Sequence, residues 1–174
     1  MGHVPEGRDQ FLSALEARKF AIDGFAERRW AFPPEYSRAM KDTEAGNPLL
    51  VERIDRQNSF YYIVPFERKA KASVLVMIDA RTGAFKEAAF FAEPTAYLPV
   101  SNSEARKKLV DFLGLTATES ESAQFATSLV WKPSEASQSP FEPFWRFRTG
   151  DVDRYVDQKG KVHLTIEAPR MKGG

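Results

Sequence analysis

Two stretches of this chain follow the same short pattern. Residues 74–88 (VLVMIDARTGAFKEA) and residues 153–166 (DRYVDQKGKVHLTI) each contain an apolar strand, an Asp, a short polar turn that ends in Gly, and a second strand. This order predicts a β-hairpin. Each hairpin closes a longer series of elements that also occurs twice, so the sequence predicts a tandem repeat of one small unit.

The residues of the two turns have a structural interpretation. Asp79 and Asp157 open the turns, and Gly83 and Gly160 close them. An Asp in this position accepts hydrogen bonds from backbone N–H groups, and Gly supplies a positive φ. We therefore interpret the four residues as structural turn residues rather than as parts of an acid/base pair.

Composition narrows the class of protein. The 174 residues are 43% hydrophobic and include 14 Phe, which supplies enough apolar surface for a folded core. The 25 Lys and Arg residues nearly balance the 24 Asp and Glu residues, so a net charge of +1 provides no electrostatic argument for nucleic acid or an acidic membrane. Because there is no Cys, disulfides, thiolate zinc sites and a cysteine nucleophile are excluded.

The first unit is predicted to contain a helix and four strands. The helix is expected over residues 8–29, because apolar residues recur there at helical spacing. Its predicted apolar face consists of Phe11, Leu15, Ile22 and Phe25. Pro33-Pro34 ends this helix, and a short second helix is expected over residues 35–42. The strands are expected over residues 49–55, 59–66, 73–79 and 84–91.

The second unit repeats this order after a linker. Residues 92–100 contain Pro94 and Pro99, which interrupt regular structure. Ser101 and Glu104 have the spacing of a capping box, and Gly114 is placed to end the helix that begins there. Residues 116–124 are predicted to form a loop, and strands are expected over residues 127–132, 143–148, 152–157 and 161–167.

These elements predict an α+β fold made of two tandem repeats, each with one helix followed by a four-stranded antiparallel sheet. The predicted boundaries are residues 1–91 for the first unit, 92–100 for the linker and 101–174 for the second unit. A helix buries its apolar stripe and a sheet covers one face when the two pack together, so each sheet is expected to wrap around its own helix.

The segments IDARTGAFKE and YVDQKGKVHL resemble the closing hairpin of PepSY-type domains. The order of one helix and four strands over residues 8–168 is similar as well. The resemblance implies a cystatin-like shape and a non-catalytic role, typically as a regulatory module associated with a peptidase. It also implies a location outside the cytoplasm, although the first ten residues, MGHVPEGRDQ, lack the pattern of a signal peptide. No run of about 18 apolar residues predicts a transmembrane segment.

The segment SPFEPFWRFR (residues 139–148) is the strongest candidate for a recognition surface. Phe141 and Phe144 lie beside two prolines and a long polar loop, an arrangement that suits an exposed aromatic rim, and Phe141 is expected to be the more exposed. Trp145 and Phe147 are two residues apart and are expected in the core. Arg146 and Arg148 are then expected to face water.

Two further candidate binding features lie in the first unit. Arg68, Lys69 and Lys71 form a predicted basic hairpin tip that suits an anionic partner or simply protects a strand edge. Tyr61 and its neighbour Tyr62 are expected to point to opposite faces of their strand, one inward and one outward.

No catalytic or metal-binding residues are predicted. His163 is expected to be a lone surface histidine, and with His3 as the only other His the chain has too few ligands for a metal cluster and too few parts for a triad. Gly-rich phosphate loops, HExxH and GxSxG are absent from the sequence. We therefore expect no cofactor, and we assign no role to the terminal Gly173-Gly174.

Three functions remain open from the sequence. The first is a non-catalytic binding or regulatory module whose partner is a protein or peptide, associated with a peptidase or with the cell envelope. The second is a small-ligand-binding protein with a pocket between helix and sheet. The third is a structural or assembly protein that presents sheet edges to another chain.

Overall fold

The computed structural model describes residues 10–169 of the chain. His3, the first residues of the predicted helix at Arg8 and Asp9, and Gly173-Gly174 lie outside the described residues. The α-helices of the described range are α1 (Ala14–Arg28), α2 (Pro34–Met40), α3 (Asn102–Leu113) and α4 (Ala117–Ser122). The strands are β1 (Glu44–Ala45), β2 (Leu49–Arg53), β3 (Ser59–Arg68), β4 (Lys71–Asp79), β5 (Phe85–Thr95), β6 (Ala126–Trp131), β7 (Phe144–Thr149), β8 (Val152–Val156) and β9 (Val162–His163).

The strands are neighbours in the order β5-β4-β3-β2-β6-β7-β8-β9, with β1 paired to β3. Val51–Arg53 of β2 run parallel to Leu129–Trp131 of β6, whereas β3 with β4 and the pairs from β6 to β9 are antiparallel. The predicted fold of two tandem repeats, each with its own four-stranded antiparallel sheet, is therefore wrong. An α+β class holds, but the strands belong to one mixed sheet. A hydrophobic pattern identifies a strand without identifying its distant partner, which is why the sequence did not reveal the β2 to β6 pairing.

The described residues divide into two compact units. One comprises the residues up to Leu50 together with Phe60–Glu93, and the other comprises Val51–Ser59 together with the chain from Pro94 onward. Within the second unit, the backbone N–H of Ile54 donates to the carbonyl of Trp131 at 3.0 Å. The guanidinium of Arg53 lies 4.9 Å from the centre of the Trp131 ring. A short segment from early in the chain is thus part of the second unit.

The core of the first unit depends on small residues of α1. Ala17 and Ala21 are fully buried, whereas Leu15 is 75% exposed and Ile22 is 47% exposed. The predicted apolar face of this helix is therefore wrong for Leu15 and Ile22. Small side chains at Ala17 and Ala21 let the helix backbone approach the sheet closely, and Leu15 and Ile22 are left on the opposite side. The buried cluster consists of Ala17, Ala21, Phe25, Val64, Phe66, Val74, Val76 and Ile78.

The core of the second unit forms between α3 and one face of β7 and β8. Ala105 and Leu109 of the helix pack against Phe147 and Val156 of the strands. The predicted capping box is present, since Ser101 Oγ accepts from the Glu104 N–H and Glu104 accepts from the Ser101 N–H. Gly114 ends the helix with a φ of 65°.

Two elements of the second unit differ from the prediction. Residues 117–122 form α4 rather than a loop, and Thr116 and Glu119 form a capping box at its start. The T-x-x-E spacing was present in the sequence and is the signal that was missed. The last strand spans Val162–His163 instead of residues 161–167, because the chain then turns and the Glu167 carbonyl accepts from the Glu135 N–H at 3.3 Å.

None of the helices in the described part of the chain has the length and apolar character needed to cross a membrane.

The Asp-to-Gly turns are closed by side chain and backbone together. Asp79 Oδ1 accepts hydrogen bonds from the N–H groups of Arg81 and Thr82, each at 2.9 Å. Gly83 has a φ of +73°, and a Cβ at this position would lie 2.4 Å from the Phe20 ring. Gly83 is therefore required both for the backbone conformation and for the approach of α1 to the turn.

Replacing Gly83 with Ala should destabilise the first unit by about 2–4 kcal/mol, because a positive φ and a clash with Phe20 are combined. Gly150→Ala is the matched control, since Gly150 has a φ of +58° with nothing within 4 Å of an added Cβ, and should cost only about 1 kcal/mol. Urea denaturation followed by circular dichroism measures both. Equal losses of stability in the two variants would show that the predicted clash with Phe20 does not occur.

The packing of α1 makes a second prediction. Ala21→Leu should lower the free energy of unfolding by about 1–3 kcal/mol, because the buried side chain has no room to grow. Leu15→Ala, on the exposed side, should change it by less than about 0.5 kcal/mol. If Leu15→Ala were the more damaging variant in urea denaturation, the orientation of the helix described here would be wrong.

Candidate functional site

One face of the sheet in the second unit carries a row of polar side chains. The strand register places Ser128 opposite Arg146, Arg146 opposite Tyr155, and Tyr155 opposite His163. Residues directly opposite each other on neighbouring strands point to the same face, with Cβ atoms about 4.5–5.5 Å apart. These four residues are called the polar row below.

Arg146 is the best-connected member of the polar row. Its Nε donates to Ser128 Oγ at 3.0 Å, and its Nη2 donates to Glu52 Oε2 at 2.8 Å. The side chains of Arg146 and Glu52 are 16% and 34% exposed. The expectation that Arg146 faces water is therefore wrong, because β2 lies beside β6 and brings a carboxylate to it.

His163 forms a hydrogen-bonded pair with Asp157. The distance from His163 Nε2 to Asp157 Oδ2 is 2.8 Å, and the side chains are only 15% and 7% exposed. The other oxygen, Oδ1, accepts from the backbone N–H groups of Lys159 and Lys161, each at 2.9 Å. The prediction of a lone surface histidine is wrong, because the turn between β8 and β9 returns His163 to the Asp that opens it.

The environment of Asp157 keeps it ionised. Burial raises the pKa of its carboxyl, but hydrogen bonds from His163 and from the N–H groups of Lys161 and Lys159 more than offset this, so the pKa lies below its usual range. At neutral pH Asp157 is thus a fixed acceptor that orients the imidazole of His163.

The pair opens onto a cleft of about 360 Å³. The residues that line it are Glu135, Ala136, Asp157, Lys159, Lys161, His163, Ile166 and Glu167. Beside the cleft, the rings of His163 and Phe144 meet edge to face with centroids 5.8 Å apart. The lining combines cationic and anionic groups, so the cleft presents both donors and acceptors. We call it the His163 cleft.

A serine-containing loop shapes one wall of the His163 cleft. Ser134 is fully buried and Ser137 is 2% exposed. Trp131 Nε1 donates to Ser137 Oγ at 3.0 Å, and Ser137 Oγ donates to the Glu142 carbonyl at 2.8 Å. The buried hydrogen bonds hold this loop in one conformation, which positions Glu135 at the cleft.

Beyond the polar row, a second ion pair stabilises the same face. Arg148 Nε and Nη2 donate to the two carboxylate oxygens of Asp153 at 2.6 and 2.8 Å. These hydrogen bonds raise the pKa of Arg148 and lower that of Asp153. Burial and the nearby charge of Asp153 raise the pKa of Tyr155, and its protonated hydroxyl donates to Asp153 Oδ2 at 3.5 Å.

The structure buries the aromatic residues that the sequence proposed as a recognition rim. Phe141 is 6% exposed and Phe144 is fully buried, so the expected exposure of Phe141 is wrong. The Phe141 carbonyl accepts from the Tyr97 hydroxyl at 2.8 Å, which ties this loop to the preceding segment. Phe144 still contributes to the candidate site through its contact with His163, while Phe147 lies in the core.

None of the candidates in the first unit lines the His163 cleft, whose lining residues all belong to the second unit. Tyr61 is 4% exposed, and the hydroxyl of the half-buried Tyr62 donates to the Leu12 carbonyl at 2.8 Å, so neither tyrosine is simply outward. Arg68, Lys69 and Lys71 are all exposed around a tight turn in which Lys69 has a φ of 52°. This tip has the accessibility of a contact surface but no pocket beside it among the described clefts.

The sequence offered only part of the signal for the candidate site. Alternation along β8 places Tyr155 and Asp157 on one face, which period-2 spacing predicts. The contacts of Arg146 with Glu52 and of Asp157 with His163 depend on strand pairing and on a turn, so they required the structure. Within residues 10–169, no group of three or more His, Asp or Glu side chains is arranged to hold a metal ion.

No family model, curated protein or solved structure matches this chain.

The contacts of Asp157 predict a pH dependence. Asp157→Asn should cost about 1–3 kcal/mol at pH 7, because a buried acceptor of three hydrogen bonds loses its charge. A lowered folded-state pKa means that the carboxylate stabilises the fold above the unfolded-state pKa of about 3.9 and loses this effect as the pH falls further. The difference in the free energy of unfolding between the wild type and Asp157→Asn, measured by urea denaturation, should therefore become smaller below about pH 4.

Asp79→Asn provides the matched control for this experiment. Asp79 opens the equivalent turn and accepts the same kind of backbone hydrogen bonds, but its side chain is 31% exposed and it contacts no histidine among residues 10–169. Its loss of stability at pH 7 should be the smaller one. Equal losses at the two positions would show that the contact with His163 contributes nothing to stability.

Proposed function

We propose that this chain is a non-catalytic binding or regulatory module, and that the His163 cleft is the site at which it recognises a protein or peptide. The observation that carries the proposal is the buried Asp157 and His163 pair, 2.8 Å apart, at the wall of a polar cleft. Such a pair holds the imidazole in one orientation, and a binding site requires donors and acceptors held in this way.

The charges of the His163 cleft favour a peptide over a uniformly charged ligand. Lys159 and Lys161 offer donors, and Glu135 and Glu167 offer acceptors. A peptide segment carries N–H donors and carbonyl acceptors in alternation and can satisfy both sets. The cleft volume of about 360 Å³ is at the lower end of the range for ligand pockets, which suits a side chain or a chain end.

The same geometry supports a non-catalytic role. Asp157 already accepts three hydrogen bonds and has a lowered pKa, so it is a poor general base. His163 Nε2 is engaged with that carboxylate. Among the described residues that line the cleft, none is a Ser, Thr or Cys that the imidazole could activate as a nucleophile.

The resemblance of both hairpins to PepSY-type sequences supports the same proposal. On this resemblance, the partner is a peptidase or a component of the cell envelope, and the chain acts outside the cytoplasm. The His163 cleft lies at the second of these hairpins, at the turn that begins with Asp157. One of the two segments that carry the resemblance therefore contributes to the proposed binding site.

The test is a peptide-retention experiment that also detects cleavage. Immobilised wild-type protein is incubated with a defined synthetic library of unmodified eight-residue peptides, and retained and flow-through peptides are identified by mass spectrometry. We expect a subset to be retained at least about tenfold above background with unchanged mass. His163→Gln should abolish this retention, because the imidazole contact is lost.

Lys69→Gln is the control, since it removes a positive charge from the exposed tip in the first unit. Its retention should match that of the wild type. Three results would each overturn the proposal: no retained peptide, cleavage products that depend on His163, or retention that is lost in Lys69→Gln and kept in His163→Gln. Circular dichroism melting of each variant shows whether it is folded.

A further inference from the structure

A second concave site lies on the other side of the second unit, where the C-terminal end of α3, the end of α4 and the start of β8 meet. It is an open groove of about 280 Å³. The residues that line it are Leu113, Leu115, Ala123, Gln124, Phe125, Thr149, Val152 and Arg154. We call it the Arg154 groove.

The walls of the Arg154 groove are apolar and partly exposed to solvent. Leu113 is 39% exposed and Val152 is 48% exposed. Phe125, which also lines the groove, packs against the core, with its ring 5.9 Å from that of Phe147 in an edge-to-face arrangement. Covering apolar surface of this kind releases water and is favourable, so the groove has a driving force for binding an apolar group.

Arg154 is an unusual residue to find on this face of the sheet. The register places it opposite Phe147, which is 1% exposed and packs against α3. Its Nη1 donates to the backbone carbonyl of Asp153 at 3.0 Å, but its Nε is buried with no hydrogen-bond partner. A buried donor without a partner costs free energy, so a cation is retained here at a cost to stability, and it is retained in the lining of the groove.

The positive charge of Arg154 is not neutralised by its acidic neighbour. Successive residues of a strand point to opposite faces, and the Asp153 carboxylate is bound by Arg148 on the polar face. A second guanidinium adds to the positive charge here, because Arg106 lies 5.0 Å from the centre of the Phe125 ring. Arg106 donates to the carbonyls of Ser120 and Ala123, which holds the end of α4 against the groove.

We propose that the Arg154 groove binds a single-chain amphiphilic carboxylate, with the alkyl chain against Leu113, Phe125 and Val152 and the carboxylate on the Arg154 guanidinium. A guanidinium pairs well with a carboxylate, since its planar N–H groups match the two oxygens. The apolar walls select for the chain, and the Arg154 guanidinium, with the positive charge of Arg106 nearby, selects for its charged head. The groove volume suits a medium-length chain such as that of decanoate.

This inference is independent of the peptide site, because the His163 cleft and the Arg154 groove share no lining residue. The groove lies between helix and sheet, which is where the pocket of a small-ligand-binding protein is expected from the sequence. A hydrophobic peptide would be the other conceivable occupant, and the test below separates the two.

The experiment titrates the ¹⁵N-labelled 174-residue protein with decanoate, decanol and acetate, each below the concentration at which it aggregates, and follows backbone amide shifts by NMR. Decanoate should shift the amides of Phe125, Val152 and Arg154 in a saturable way. Its affinity should exceed that of decanol at least about fivefold, and acetate should give no saturable shift. Shifts confined to the residues of the His163 cleft would overturn the proposal.

Two variants assign the roles of head and chain. Arg154→Gln should reduce the affinity for decanoate to that for decanol, while Lys107→Gln, which removes a charge from the exposed side of α3, should leave it unchanged. Val152→Ser, at an exposed position of the groove wall, should lower the affinities for decanoate and decanol by the same factor. The proposal fails if decanoate and decanol bind equally to the wild type, if Arg154→Gln has no effect, or if neither compound binds. It also fails if an apolar peptide from the library saturates the groove and decanoate does not displace it.

Discussion

The parallel pairing of Val51–Arg53 with Leu129–Trp131 is the contact on which the second unit depends. It places Glu52 where Arg146 can bind it and Arg53 where it stacks on Trp131. Trp131 in turn donates to Ser137, the buried serine that holds the loop at the His163 cleft. A short segment from early in the chain therefore determines the electrostatics of one sheet face and the shape of the candidate site.

The alternation of side chains along β7 and β8 gives the two faces of that sheet different chemistry. One face carries Arg146, Tyr155 and Asp157, and the other packs Phe147 against α3. Arg154 breaks this division, since it is a cation on the apolar face with a buried, unsatisfied Nε. Natural proteins break such patterns mainly at functional sites, and this break lies where we propose that the ligand binds.

The sequence-based predictions were correct where the interacting residues lie a few positions apart and wrong where the interaction depends on how the chain folds back on itself. The capping box at Ser101 and the glycine that ends α3 depend on residues a few positions apart, so they could be predicted. The apolar stripe of α1 was misassigned because helical spacing shows that residues share a face, not which face meets the sheet. The exposure of Phe141 was misjudged because its loop is tied to the distant Tyr97, and the isolation of His163 was misjudged because the turn between β8 and β9 returns it to Asp157.

The sequence by itself determined the local elements: two Asp-to-Gly hairpins, capped helices and alternating strands, and with them an α+β protein without cysteine chemistry. Those features follow from backbone sterics and from hydrogen bonds within a few residues. Only the tertiary structure decided that β2 pairs with β6, that the turn Asp157 holds His163, and that Arg154 faces an apolar groove. Each of these is a contact between residues whose meeting depends on strand register or chain path, and no periodicity in a single sequence encodes that choice.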